Sequence, residues 1–337
     1  MPSISFTQAL STRSWLLADG ATGTNYFQMG LMSGDAPELW NVDYPERVRL
    51  LHKQFIAAGA DIILTNSFGG NRHRLKLHND QHRVHELNVA AVNNARAEAD
   101  AVSHDVYVAG SMGPTGEIFM PVGAFPYEEG VSAFAEQAAA LKDGGADVLW
   151  IETMSSEEEL RAAVEGAATT GLPMVTTMSF DTNGRTMMGM TPAVFGAIAK
   201  SLSTQPVAIG ANCGVGASEL VATVMGLTEA RPDANVVAKG NCGIPQYMDG
   251  AIHYTGTPEL MANYARIAHD AGAKIIGGCC GTSPEHLAAM RKSLEGYTRG
   301  VRPTLELVET VLGPVSELAK GLDRAAEGAA RRERRRG

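Results

Sequence analysis

Two adjacent cysteines, Cys279 and Cys280, are the residues of this chain best suited to chemistry. In a regular strand, neighbouring side chains point to opposite faces, so both thiolates can reach one metal ion only where the strand has ended and the backbone turns. Gly278 and Gly281 flank the pair and allow such a turn. Cys213, in a separate Asn-Cys-Gly run, provides a third sulfur. Three thiolates leave one tetrahedral position of Zn²⁺ open, which is typical of a catalytic site.

The fourth cysteine, Cys242, decides between a catalytic and a structural metal site. As a fourth ligand it would close the coordination sphere. We expect it to lie near the other three without binding the metal. A single cysteine is more often a small buried apolar residue than a ligand, and that alternative applies to each of the four taken alone.

Two carboxylates, Asp19 and Glu152, follow apolar runs. Such groups are rarely buried without a partner. A bound ammonium group would satisfy both, and an internal salt bridge to a Lys or Arg of the chain would do so equally well. Thr22 and Gly23 follow Asp19 in a glycine-rich loop, which has the backbone freedom to present N–H groups to a carboxylate of a small molecule.

Eight strand–helix units are predicted to position these residues. Short apolar runs without strict alternation predict strands that are buried on both faces, at residues 15–18, 61–65, 106–109, 148–151, 174–178, 207–209, 235–238 and 274–276. The segments between them predict helices, among them residues 44–58, 82–103, 127–143, 156–169 and 257–271.

Eight alternations fit a closed (β/α)8 TIM barrel, with an open doubly wound sheet as the alternative. The active site of such a barrel lies at the C-terminal ends of its strands, and all four cysteines follow predicted strands. We assign residues 1–300 to the barrel. Residues 301–337 form a C-terminal helical extension that is interrupted near Pro314 and ends in an Arg-rich tail at residues 331–336, where a frayed, solvated end is expected.

Composition excludes several classes of protein. The 337 residues carry a net charge of −9, which disfavours a nucleic-acid partner. No apolar run approaches the roughly 18 residues that a membrane span needs. The first residues do not resemble a signal peptide, so we expect a cytoplasmic protein whose four cysteines form no disulfides.

The sequence resembles the homocysteine S-methyltransferase family between about Leu16 and Met290. The motifs that carry the resemblance are Asp19-Gly20, Thr65-Asn66-Ser67-Phe68-Gly69, Gly113-Pro114, Glu152, Gly210-Ala211-Asn212-Cys213 and Gly277-Gly278-Cys279-Cys280-Gly281-Thr282, followed by Pro284 and His286. The resemblance implies that the three cysteines bind Zn²⁺, that Asp19 and Glu152 hold the homocysteine ammonium, and that the Thr22 and Gly23 amides hold its carboxylate. Asn66 and Trp40 are further substrate-binding candidates.

A methyltransferase of this kind would make methionine by in-line attack of a zinc-activated thiolate on a methyl group of a cationic donor. Aromatic side chains favour such a cation, although core packing is an equal alternative for each candidate, namely Trp40, Tyr44, Tyr26, Phe27 and Phe68. The chain looks most like bacterial betaine–homocysteine enzymes, which favours glycine betaine, although Thr153 stands where the animal betaine enzyme has a tyrosine.

Several alternatives to this prediction stay open. S-methylmethionine, dimethylsulfoniopropionate or methylcobalamin from a partner protein are alternative donors, and the Asp-x-His-x-x-Gly motif of the cobalamin module does not occur in the chain. A zinc barrel hydrolase or lyase and a zinc-stabilised scaffold with four cysteine ligands are alternatives of other classes. Homocysteine, a small methyl donor and a second copy of the chain are the expected partners.

Overall fold

A computed structural model describes residues 1–243, 245–248 and 251–320 of the protein. These residues contain ten strands. They are β1 (Leu16–Leu17), β2 (Ile62–Leu64), β3 (Tyr107–Met112), β4 (Val148–Met154), β5 (Met174–Met178), β6 (Ala208–Cys213), β7 (Val236–Gly240), β8 (Pro245–Met248), β9 (Ala251–Tyr254) and β10 (Ala273–Gly278). Eight of them form one parallel sheet in the order β1-β10-β7-β6-β5-β4-β3-β2. Ala18 bridges Ile62 in parallel, which joins the two edges. The prediction of a (β/α)8 TIM barrel is confirmed, and the open sheet is wrong.

Helices alternate with these strands. In the described residues the α-helices are α1 (Phe6–Thr12), α2 (Gly23–Gln28), α3 (Trp40–Asp43), α4 (Pro45–Ala57), α5 (Arg72–Leu75), α6 (Val84–Ala99), α7 (Tyr127–Asp143), α8 (Glu157–Ala168), α9 (Pro192–Ser201), α10 (Ala217–Ala230), α11 (Pro258–Asp270), α12 (Pro284–Leu294) and α13 (Leu305–Leu312). Short 3-10 turns cover Pro37–Leu39, Lys76–His78 and Gln81–Arg83. The antiparallel pair β8–β9 lies between β7 and α11 and was not predicted.

Local sequence signals explain where the helices begin and end. The Thr257 side chain accepts a hydrogen bond from the Leu260 amide, and proline occupies the first turn of α11. The Ser156 side chain caps α8 in the same way by accepting from the Glu159 amide. Gly145 and Gly272 have φ angles of 92° and 109° directly after α7 and α11, so these glycines reverse the chain into the next strand.

The interior of the barrel is filled with side chains rather than open. Alternate residues of the strands face inward and form one buried cluster, which includes Leu16, Leu64, Trp150 and Val237. Helix α1 packs on the same cluster through Phe6, Ala9 and Leu10. The rings of Phe6 and Tyr107, the first residue of β3, lie 5.5 Å apart edge to face. Because Tyr107 begins its strand, α1 covers the N-terminal end of the barrel.

The segment after the barrel packs back on its own chain. Helix α13 contacts α10 and α11, and Val308 is completely buried. The Ser218 hydroxyl donates to the Pro314 carbonyl (2.8 Å), and the Ser316 amide donates to Oε1 of Glu219 (2.7 Å). The predicted interruption near Pro314 is present, and residues 317–320 are helical again. The arginine tail at residues 331–336 lies outside the described residues.

None of the helices in the described part of the chain is both long enough and apolar enough to cross a bilayer.

Candidate metal and substrate site

Three cysteine sulfurs meet at the C-terminal end of the barrel. Cys213 ends β6, and Cys279 and Cys280 follow β10 directly. The three Sγ atoms lie within 4.8 Å of one another, and those of Cys213 and Cys280 are 3.9 Å apart. Zn–S bonds of about 2.3 Å in a tetrahedron place two sulfurs about 3.8 Å apart, so this spacing suits a shared zinc ion.

Turns in the backbone bring the adjacent cysteines to one side. Cys213 has a φ of 61°, a left-handed conformation that turns its thiol out of the strand direction. The Cys279 amide donates to the Gly240 carbonyl (2.7 Å), so this residue still pairs with the end of β7. The Cys280 amide donates instead to Oδ1 of Asn241 (3.1 Å), and Gly281 has a φ of 79°. Backbone pairing with β7 therefore stops between the two cysteines, just after the end of β10.

Hydrogen bonds among the thiols shift the pKa values of Cys213 and Cys280 in opposite directions. Bonds with Cys279 and Cys280 raise the pKa of Cys213. Bonds from Cys213 and Cys279, with a further one from Tyr254, lower the pKa of Cys280 despite its burial. Mutual hydrogen bonding therefore favours a thiolate within this cluster, and the thiolate is the form that binds a metal.

Cys242 stands apart from this cluster. Its side chain is 1% exposed, and a Cβ added to Gly256 would lie 2.7 Å from its sulfur. Its amide donates to the Cys280 carbonyl (2.9 Å), so the residue supports the cysteine turn through its backbone. The three-sulfur group found among the described residues does not include it.

Asp19 has internal partners for both carboxylate oxygens. Oδ2 accepts from the Leu64 amide (2.7 Å), and Oδ1 accepts from the ammonium of Lys239 (2.8 Å). The Asp19 carbonyl also accepts from Lys239 and from the Gly278 amide, both at 3.0 Å. Of the two readings of Asp19, the internal salt bridge is the one present in this structure. Asp19, which follows β1, therefore bonds to residues of β2, β7 and β10 at the end of the barrel that carries the cysteines.

Glu152 is the second buried carboxylate at the barrel mouth. Its Oε1 accepts from the Ser111 hydroxyl (2.6 Å). Burial raises the pKa of Glu152 to about 7, with a further contribution from Cys279, while Lys239 opposes the shift. No salt bridge to this carboxylate occurs among the described residues. A cationic group of a ligand beside Glu152 would stabilise its ionised form.

The loop after β1 leads into α2, with Thr22 as the residue before its first turn. Thr22 and Gly23 are half-buried. A Cβ built on Gly23 would meet no atom within 4 Å, so this end of the helix borders open space. The space is available to a ligand that approaches the backbone.

Asn66 and Trp40 have internal contacts in this conformation. The Asn66 amide donates to the Pro37 carbonyl (2.7 Å) and to Oδ1 of Asn41 (3.2 Å). Trp40 is 6% exposed; its ring centroid lies 5.3 Å from that of Tyr26 and 5.6 Å from that of Tyr44. The guanidinium of Arg47 lies 4.9 Å from the same ring, so a cation already occupies one of its faces.

The remaining aromatic candidates divide by exposure. Tyr26 is fully buried, whereas Phe27, Tyr44 and Phe68 are exposed. The Arg47 guanidinium also lies over the Tyr44 ring, 4.6 Å from its centroid. Phe27 and Phe68 are the exposed candidates for which no such cation contact occurs among the described residues.

Three site residues were not predicted from the sequence: Lys239, Ser111 and the Asn212 side chain. Lys239 is fully buried although it carries a charge, and its position near the end of an otherwise apolar strand was the available signal. Ser111 lies in the glycine-rich run at residues 110–116, where no local pattern marks it as a partner of a carboxylate. The Asn212 amide was noted only as a neighbour of Cys213.

A parallel barrel with three cysteine sulfurs at its mouth can hold a metal ion with one coordination position left open. A family model described as homocysteine S-methyltransferase matches residues 16–294. The chain belongs to this family, and it is accordingly a methyltransferase.

Known proteins support this assignment. The chain is 29% identical over 320 residues to methionine synthase of Mycobacterium leprae (strain TN); the match covers 90% of this chain but spans only 26% of that relative's length. The crystal structure of the metallated homocysteine methyltransferase MmuM from Escherichia coli is 25% identical, with a TM-score of 0.69, covering 85% of this chain and 98% of that one. Its oxidised form has a TM-score of 0.68 at the same identity, covering 84% and 97%.

Proposed function

We propose that this protein is a zinc-dependent homocysteine S-methyltransferase that makes methionine. The observation that carries the proposal is the convergence of three sulfurs within 4.8 Å at the barrel mouth, in a chain of this family. Cys213, Cys279 and Cys280 would hold the metal. When bound, Zn²⁺ supplies a Lewis acid that converts the acceptor thiol into a nucleophile at neutral pH. A relative of the same fold has a metallated form, which supports the assignment.

The carboxylates and the loop after β1 would orient the acceptor. Glu152 would accept the homocysteine ammonium, beside Asp19, whose Oδ1 is also bonded to Lys239. The ammonium charge would keep Glu152 ionised near its pKa of about 7. The backbone amides of Thr22 and Gly23 would bind the carboxylate in the open space beside Gly23. Held at both ends, the acceptor presents its sulfur in one direction.

Glycine betaine is the methyl donor that we propose. One methyl group would pass from its quaternary nitrogen to the homocysteine sulfur, giving dimethylglycine and methionine, and the thiol proton would leave to solvent. Phe68, which follows β2, is an exposed ring that suits an onium group. Trp40 and Asn66 would contribute by shaping the loops above the mouth. S-methylmethionine, dimethylsulfoniopropionate and partner-delivered methylcobalamin are the alternatives.

Two readings of other classes are less well supported. A water-activating zinc hydrolase or lyase usually has histidine or carboxylate ligands, and the cluster in the described chain contains cysteine only. A four-cysteine structural centre would need Cys242, whose sulfur lies outside that cluster.

A methyl-transfer assay on the zinc-loaded protein tests the proposal. Homocysteine is offered with each of the four donors, methionine is quantified, and a Cys280→Ala variant serves as the control. Methionine from one onium donor, absent in the control, would establish the reaction and the donor. Activity with methylcobalamin alone would indicate a corrinoid partner. If zinc is bound, the protein is folded and no donor yields methionine, the acceptor assignment is wrong.

The proposal also covers the domain organisation, the cellular compartment and the self-association of the protein. Residues 1–300 would form the catalytic unit and residues 301–337 its extension. Four free cysteines suit a reducing compartment such as the cytoplasm. Self-association is expected as well, and size-exclusion chromatography with light scattering would test it.

A further inference from the structure

The amide of Asn212 makes an unusual set of contacts at the barrel mouth. Its side chain is 1% exposed. Oδ1 accepts from the Thr153 amide (2.9 Å) and from the Thr177 hydroxyl (2.6 Å). Nδ2 donates to the Thr153 hydroxyl (2.7 Å) and lies 3.9 Å from Sγ of Cys279. One side chain therefore joins the ends of β4 and β5 to a cysteine that follows β10.

Thr153 needs this support because its backbone is strained. It has a φ of 64°, a conformation that β-branched residues rarely adopt. The pairing between β4 and β5 shifts register between Ile151 and Met154, which is the stretch that contains Glu152 and Thr153. Asn212 fills the break with two hydrogen bonds to Thr153. Glu152 directly precedes Thr153, so a shift of the Thr153 backbone would also move the backbone that carries the Glu152 carboxylate.

The Nδ2 contact reaches the sulfur cluster. Cys279 is one of the three converging cysteines, and an amide N–H directed at a thiolate disperses part of its charge. Asn212 also directly precedes Cys213, another member of the cluster. The same amide group thus touches the cluster on one side and the strand that bears Glu152 on the other.

We propose that Asn212 is a positioning residue that couples the metal centre to the acceptor-binding carboxylate. Through Nδ2 it orients Cys279, and through both amide atoms it holds Thr153 and so aims Glu152. The inference rests on the proposed function, since it takes the cysteines as metal ligands and Glu152 as the group that binds the acceptor.

Two substitutions separate the halves of this role. Asn212→Asp keeps an acceptor for the Thr153 amide and the Thr177 hydroxyl. It removes both Nδ2 donors, but the Thr153 hydroxyl can then donate to the new carboxylate, whereas the contact to Cys279 has no replacement. Asn212→Ala removes every contact. Adding Thr153→Gly to Asn212→Ala relieves the left-handed strain without replacing the donor, because glycine adopts positive φ freely. Asn235→Ala is the matched control, since that amide donates to the Val207 carbonyl (3.0 Å) near the start of β7, away from the mouth.

The readouts are zinc affinity by chelator competition, the absorption spectrum of the Co²⁺-substituted protein, and the dissociation constant of homocysteine by calorimetry. We expect Asn212→Asp to lose roughly 10–100-fold in zinc affinity and to shift the cobalt–thiolate absorption. Its homocysteine affinity, compared at saturating metal, should change much less. Asn212→Ala should weaken the binding of both zinc and homocysteine. The double variant Asn212→Ala/Thr153→Gly should recover the homocysteine affinity but not the zinc affinity. Asn235→Ala should change neither affinity.

If Asn212→Asp keeps the zinc affinity and the cobalt spectrum of the wild type, the proposed role of the contact between Nδ2 and Cys279 is wrong. Unchanged homocysteine affinity in Asn212→Ala would overturn the aiming of Glu152. If Asn212→Ala fails to fold, Thr177→Val, which removes one bond to Oδ1, should weaken homocysteine binding in the same direction, and no weakening would again oppose the proposal. If the wild-type zinc protein binds no homocysteine, the proposed function is wrong, and so is the proposed role of Asn212 in orienting Glu152. The zinc measurements would still test the contact between Asn212 and Cys279.

Discussion

The ammonium of Lys239 lies 2.8 Å from Oδ1 of Asp19, and both side chains are only 2% exposed. The pair closes a gap between strands that are far apart in sequence, because Asp19 follows β1 whereas Lys239 is in β7. The Asp19 carbonyl also accepts from the Gly278 amide, one residue before the cysteine pair. This ion pair therefore supports the base of the cysteine cluster.

Replacing Lys239 by Met should destabilise the protein strongly. The substitution leaves the Asp19 carboxylate buried without its counter-charge, which costs about 3–5 kcal/mol when one partner of a buried pair is removed. Urea unfolding of the metal-free protein measures the free energy of unfolding. The double variant Lys239→Met/Asp19→Asn should lose less than the sum of the two single variants. A single variant within about 0.5 kcal/mol of wild type would show that the pair contributes no stability.

The pH dependence of stability should reveal Glu152. Its pKa is about 7 in the folded protein against an ordinary value of 4.5, so the folded state keeps a proton that the unfolded chain releases. The resulting stability is fully present below the ordinary pKa and is lost as the pH rises through about 7. Between pH 5.5 and 8, the unfolding free energy of metal-free wild type should fall by about 2 kcal/mol more than that of Glu152→Gln. Parallel profiles for the two proteins would contradict the raised pKa.

Cys213→Ala and Cys242→Ala should behave oppositely. Cys213→Ala removes one of the clustered sulfurs, so its zinc affinity should fall by more than the roughly 10–100-fold that loss of an outer-shell partner costs. Cys242→Ala should bind zinc as wild type does and lose only about 1 kcal/mol of stability, from the small cavity it leaves. Chelator competition and urea unfolding measure the two effects. Loss of zinc from Cys242→Ala would favour the four-cysteine structural centre.

Two glycines after β1 offer a paired test of the loop beside Asp19. A Cβ at Gly20 would lie 2.6 Å from the Thr282 carbonyl oxygen and 2.8 Å from the Phe55 ring, so Gly20→Ala should cost about 1–3 kcal/mol. Gly23→Ala meets no atom and should change stability by about 0.5 kcal/mol or less. Thermal or urea unfolding compares them. If both variants lose the same stability, the short distances from Gly20 to Thr282 and Phe55 do not explain why glycine occupies that position.

Strands and helices of the barrel were predictable because their sequence signals are local. The apolar runs mark all eight barrel strands, and the prediction for residues 127–143 coincides with α7. The predicted helix over 82–103 is shorter, at Val84–Ala99, because a 3-10 turn precedes it and the helix ends at the C-cap residue Asp100. The hairpin β8–β9 was missed because its strands have four residues each and one begins with Pro245, although Asp249-Gly250 between them is a frequent hairpin turn sequence.

The cluster of cysteines was predictable, whereas the partners of the polar residues were not. Adjacent Cys279 and Cys280 restrict the backbone so tightly that the turn follows from their spacing. The partner of Asp19 depends on how β1 and β7 are arranged in space, and no local pattern joins Asp19 to Lys239 across a sequence separation of 220. The role of the Asn212 amide likewise depends on the register of β4 against β5.

Helix α1 and the packed side chains above it seal one end of the barrel. In the proposed reaction, donor, acceptor and both products would therefore share the opening at the C-terminal ends of the strands. The acceptor, which would lie against the strand ends, would have to bind before the donor. Its methylated product would leave last, because the donor or its product lies between it and solvent. We accordingly expect compulsory-order kinetics in which homocysteine precedes the donor and methionine is the last product released.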